Sequence, residues 1–147
     1  YLYWTATAWS GWITTHPQST AAVADLSYVL STMKRVLELD ATFQNGAVHI
    51  FFGVYYSVQP RGLGRDLGKS LEHFEAAIDL AGEHAMLPKV LFARYYARAM
   101  FDEELFETTL NKVLNSPSNC PDRNLNLMNA VARERAALYM EQMYDLF

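Results

Sequence analysis

The chain has 147 residues, 51% of them hydrophobic and 19% charged, with a formal net charge of -4. That length suits one domain with a real core, the composition excludes a disordered or polyelectrolyte chain, and the acidic balance argues against nucleic acid as a partner. No stretch reaches the roughly 18 apolar residues of a membrane-spanning helix, and the single cysteine, Cys120, excludes an internal disulfide.

Residues 1–15 are aromatic-rich with small residues between them, and Trp4, Ala8, Gly11 and Trp12 share one helical face with Trp9 beside it. His16-Pro17 ends this segment, because a residue preceding proline is pushed out of the helical region. The next predicted helix, 21–39, carries Leu26, Val29, Leu30, Met33, Val36 and Leu37 on one side. Residues 46–80 form the stretch around which the chain is organised. Residues 47–58 are apolar almost all round and predict a buried helix. The loop 59–65 holds Pro60, Gly62 and Gly64, and Asp66 stands as the N-cap of a second helix. That helix sets Leu67, Leu71, Phe74, Ile78 and Ala81 in one apolar stripe, with Leu71 and Phe74 as its anchors, and leaves Glu72, His73 and Glu75 on its solvent side.

The helix predicted over 87–100 has Pro88 in its first turn, where a missing N–H is harmless. Asp102 caps the next one, with Glu103 and Glu104 complementing the helix dipole and Leu105, Phe106, Leu110, Val113 and Leu114 facing inward. That helix stops at Ser116-Pro117. A turn at 118–121 contains Cys120, read as an inert turn residue, and Asp122 caps a last helix through about residue 143. No segment alternates with the period of a strand, so the fold class is all-α and residues 1–147 are read as a single domain.

The amphipathic helices end in a recurring pattern spaced 41 and then 36 residues, from Val36 to Ala77 to Val113. These spacings lie just above the roughly 34 residues of a tetratricopeptide repeat, and Phe74 with Ala77 matches that repeat's Phe and Ala positions. The expected architecture is a helical bundle or solenoid of degenerate tetratricopeptide-like hairpins.

Chemistry-bearing patterns are few. The four histidines (16, 49, 73 and 84) lack zinc-site spacing, no second cysteine exists, and no nucleophile–base grouping stands out, so neither metal nor cofactor is expected. The Gly62-Leu63-Gly64 loop reads as a flexible turn more readily than as an anion cradle. Arg94 and Arg98 stand four apart on one helix face, and Asn129 and Arg133 repeat that spacing on the last helix. With His49, Tyr56 and the N-terminal Trp4 they are the candidate binding residues. Arginines, an amide and aromatic rings suit a ligand with an apolar body and a carboxylate head. Pairing of Arg94 and Arg98 with acids such as Glu103 or Glu134 is the structural alternative.

Several elements in order resemble a known family. They are Tyr3-Trp4, Ala8-Trp9, Asp25-Leu26, Leu37-Glu38-Leu39-Asp40, Gly46-Ala47-Val48-His49 and Phe51-Phe52, then Gly62-x-Gly64, His73-Phe74 and Ala76-Ala77. Asn129-x-x-Ala132-x-x-Arg135-Ala136 and Asp145-Leu146-Phe147 complete the set. Together they resemble the T component of tripartite ATP-independent periplasmic (TRAP) transporters, often called TatT. The resemblance implies an all-α bundle with cryptic tetratricopeptide-like hairpins and no enzyme activity. It also implies a periplasmic lipoprotein, held by a lipid anchor outside this segment, of which residues 1–147 form the C-terminal part. Its implied partners are a TRAP-type substrate-binding protein and further copies of itself in a trimer. Two other classes remain open on the residues alone: a general helical-repeat adaptor for peptide segments, and an enzyme whose site lies partly outside the chain.

Overall fold

The computed structural model describes residues 1–16, 18–117 and 121–147. All regular structure among them is helical. The chain divides into two compact units, Tyr1–Gln44 and Asn45–Phe147.

The first unit pairs α1 (Leu2–Thr15) with α2 (Thr20–Leu39). Ser19 caps α2 through its hydroxyl, which accepts from the Ala22 N–H at 3.3 Å. The predicted inward side of α2 is correct, with Val29, Met33 and Val36 buried. On α1 the face that gathers two of the tryptophans points outward. Trp4, Ala8, Gly11 and Trp12 are exposed, while Ala6 is buried and Tyr3, Trp9, Ser10 and Ile13 are half-buried. The rotation follows from Trp9, whose indole N–H donates to Asp25 Oδ2 at 3.2 Å and whose ring stacks on Tyr28. A polar anchor on the partner helix thus outranks the larger apolar face.

The second unit begins with α3 (Phe43–Val58), whose first turn lies partly in the preceding unit. It starts four residues before the predicted 47. Gln44, Asn45 and Gly46 have φ of 51°, 55° and 81°, a run of left-handed residues that asparagine and glycine tolerate best. At Gly46 a Cβ would also lie 2.9 Å from Leu80 Cδ1 on α4 (Leu67–Ala81). The hairpin α3–α4 closes most tightly at Gly53, where a Cβ would meet the ring of the fully buried Phe74 at 2.8 Å. Behind this contact Gly53 O accepts from Ser57 Oγ at 3.0 Å and from Ser70 Oγ at 2.7 Å, so two buried hydroxyls are satisfied inside the hairpin. Asp66 caps α4 as predicted, accepting from the Lys69 N–H.

Residues 87–100 form one helix, α5, with Pro88 in its first turn. It is not uniformly α-helical: Phe92–Ala97 is a π-helix between Leu87–Leu91 and Arg98–Met100. Phe101 ends it in the left-handed region with φ 62°. Asp102 then caps α6 (Glu103–Leu114) through the Leu105 N–H at 2.9 Å. The predicted last helix resolves into three pieces: a 3-10 turn at Arg123–Leu125, α7 (Asn126–Glu141) and α8 (Met143–Leu146). Val90, Ala93, Ala97, Phe106, Leu110, Val113, Ala132 and Ala136 form the core of α5, α6 and α7. The alanines let these helices approach closely, and Phe147 closes the end with its ring edge-on to Phe106 at 5.2 Å. Among the described residues no helix is long and apolar enough to cross a membrane. Cys120, read as a turn residue, lies outside the described residues.

Candidate ligand site

The second unit contains a cavity of about 400 Å³ lined by four arginines. Arg61 and Arg65 come from the loop between α3 and α4, and Arg94 and Arg98 from the π-helical part of α5 and the turn after it. The remaining wall is mostly apolar, with Tyr95, Phe101 and Leu146 prominent, and Ser57 is its one uncharged hydroxyl outside the tyrosine. No acidic residue lines it.

Three of the four guanidinium groups are held in place. Arg65 Nε donates to Gln59 O at 2.7 Å, which ties the two ends of its loop together. Arg98 Nε donates to Leu146 O at 3.2 Å. The Arg94 guanidinium lies over the Tyr139 ring, 5.2 Å from its centroid, a cation–π arrangement that fixes its plane. Among the described residues Arg94 Nη1 is buried with no hydrogen-bond partner. The ion pairs among those residues are Arg35–Glu38 and Lys69–Asp66, so the expected alternative of Arg94 or Arg98 paired with Glu103 or Glu134 is not found. A buried, always-charged donor without an acceptor is costly.

The other sequence-predicted residues lie elsewhere. Asn129 is buried and joins two backbone segments: its Oδ1 accepts from the Met86 N–H at 3.0 Å and its Nδ2 donates to His84 O at 2.9 Å. Arg133 donates through Nη2 to Ser116 O at 2.9 Å and to Pro117 O, at the C-terminal end of α6. Trp4 belongs to the first unit, is 58% exposed, and sets its ring edge-on to Tyr3.

His49 and Tyr56 meet at a residue expected on a solvated face. His73 is half-buried; its Nδ1 lies 2.9 Å from His49 Nδ1, and its ring stacks with those of Phe52 and Tyr56. Burial pushes His73 down to about 4, helped by the charge of His49, and burial also lowers His49. No cluster of three or more metal-ligating side chains occurs among the described residues.

Sequence reasoning missed Arg61 and Arg65. Their signal is two arginines flanking Gly62-Leu63-Gly64, in a loop whose glycines read as a flexible turn. In the structure Leu63 projects into solvent at 75% exposure, and the flanking side chains carry the charge to the cavity. A larger cavity of about 480 Å³ is lined in part by Pro117 and Pro121, on either side of the undescribed residues 118–120.

The sequence model of the TRAP transporter T-component family matches residues 1–147, the whole chain. No curated protein matches it.

Proposed function

The chain belongs to the TRAP transporter T-component family, and from that premise we propose that it is a non-catalytic component that docks the TRAP-type substrate-binding protein and receives an acidic ligand. The family is one of transporter-associated components and not a known enzyme family. The reading includes a periplasmic location with lipid anchoring, a homotrimeric assembly, and a tetratricopeptide-like pairing of the helices. The close α3–α4 packing at Gly53 and Phe74 supports the helical pairing. The exposed Trp4–Trp12 side of α1 supports self-association.

One observation carries the ligand half of the proposal. Four guanidinium groups line a single cavity in an acidic protein, and no carboxylate lines it with them. Guanidinium forks match carboxylate oxygens in pairs, so an organic acid is the natural complement.

The test is direct. The full-length protein is mixed with a TRAP-type substrate-binding protein from the same organism, and complex formation is followed by sedimentation velocity. A stable complex, with the T component itself sedimenting as a trimer, supports the reading. Absence of any complex at tens of micromolar, alongside capture of diverse unstructured peptides, favours the general adaptor instead.

A further inference from the structure

We propose that the four-arginine cavity binds a small oxyanion carrying at least two negative charges, in preference to a monocarboxylate. The inference rests on the ligand-receiving half of the function proposed above and specifies the charge of that ligand.

The first argument is charge count. The chain has 12 Lys and Arg residues, and four of them, all arginines, line one cavity of about 400 Å³. Arginine does not discharge at any physiological pH, so the mutual repulsion cannot be relieved by proton loss. Nor is it relieved internally, since none of the four forms an ion pair among the described residues. Water screens the exposed Arg61 and Arg98 in part; a bound anion compensates the rest, and a single negative charge would leave most of the excess standing.

The second argument is donor geometry. Arg65 and Arg98 have their Nε groups engaged by Gln59 O and Leu146 O. This leaves each with its terminal Nη pair, the end-on fork for a carboxylate or phosphate. Arg94 is oriented by Tyr139 and retains a buried Nη1 without a partner. Three of the lining side chains are therefore held before a ligand arrives, which lowers the ordering cost of binding. The donors come from three separately anchored side chains, so a ligand with several anionic oxygens can pair with more of them at once than a monocarboxylate can. Arg61 is exposed on the loop and can add a fourth contact from the rim.

The third argument is the wall. Tyr95, Phe101 and Leu146 give the cavity apolar surface beside the guanidinium groups, and its volume lies in the range of small-molecule sites. A short carbon skeleton bearing several carboxylates uses both surfaces. Inorganic phosphate shares the charge and the oxygen geometry but leaves the apolar wall unused.

The experiment is calorimetric titration of the full-length protein at matched ionic strength with citrate, inorganic phosphate and propionate. Citrate is expected to bind at least about tenfold tighter than propionate, with affinity falling as salt is raised. The exposed pair Arg61→Gln/Arg98→Gln should weaken citrate by about tenfold or more. Its fold should be retained, with a melting temperature lowered by no more than about a few degrees for the lost Leu146 hydrogen bond. Arg94→Gln should weaken citrate by a further factor where that variant folds. Binding of phosphate with no binding of citrate keeps the multiply charged class and assigns phosphate as its source. Equal affinity for propionate and citrate, or citrate binding untouched by the Arg61→Gln/Arg98→Gln pair, overturns the inference. So does the absence of binding by any of the three anions. Docking of the substrate-binding protein is measured on the same preparation. Its persistence without anion binding removes only this inference, whereas its loss in the unaltered protein removes the functional reading beneath it.

Discussion

His49 Nδ1 and His73 Nδ1 lie 2.9 Å apart across the α3–α4 hairpin, so only one of the two can carry a proton at that position. Burial, and then the neighbouring His49 charge, hold His73 near 4 against an ordinary 6.5. Between those values the unfolded chain binds a proton that the folded chain does not. The stabilisation is therefore complete above about 6.5 and is lost as pH falls through the window toward about 4. After allowance for partial solvent screening, about 1–2 kcal/mol should disappear across it. Urea unfolding at pH 7 and pH 5 measures this. His73→Phe, which keeps the stack on Phe52 and Tyr56, should flatten the difference; an equal slope in the variant means that other groups are responsible.

Two glycines should respond to alanine in opposite directions. At Gly53 the new methyl would sit 2.8 Å from the buried Phe74 ring, which has no room to retreat, and stability should fall by about 1–3 kcal/mol. At Gly11, inside α1, nothing lies within 4 Å, and alanine should add about 0.5–1 kcal/mol through helix propensity. Thermal melts of both variants decide the matter, and a destabilised Gly11→Ala contradicts the orientation of α1.

The two predicted anchors of α4 are unequal. Phe74 is fully buried and Leu71 only partly so. Phe74→Ala should cost about 3–5 kcal/mol and Leu71→Ala clearly less. Chemical denaturation of the pair gives the order directly; Leu71→Ala as damaging as Phe74→Ala would show that α4 is rotated in solution.

Asn129 joins two backbone segments and does not line the arginine cavity. Asn129→Ala would leave the Met86 N–H and the His84 carbonyl without their partner, an expected loss of about 1–3 kcal/mol. Asn129→Asp retains the acceptor for Met86 but loses the donor to His84, and should fall in between. Anion titration of both variants should match the unaltered protein, because Asn129 does not line the arginine cavity. A weakened anion affinity in a stably folded Asn129→Asp protein would return the residue to the binding site.

Helix existence, the caps at Asp66 and Asp102, the placement of Pro88 and the inward side of α2 were all legible in the sequence, whereas Asp122 caps the short 3-10 turn Arg123–Leu125 and not the last helix itself. Each depends on neighbours within one or two turns, where spacing dictates contact. The family too was legible, because ordered short motifs survive without three-dimensional information. What the sequence left open is everything made by residues distant in the chain. Trp9 and Asp25 turned α1 over, although the face with Trp4 and Trp12 carried the larger apolar surface. His73 looked solvated until α3 brought His49 against it. By their common spacing, Arg94 and Arg98 are expected on one binding wall with Asn129 and Arg133. The fold instead gave those two to backbone carbonyls and amides, and brought Arg61 and Arg65 beside the helix pair. Periodicity reports which side of a helix is apolar, but only the packing of one element on another decides which charges meet and which are left without a counter-charge.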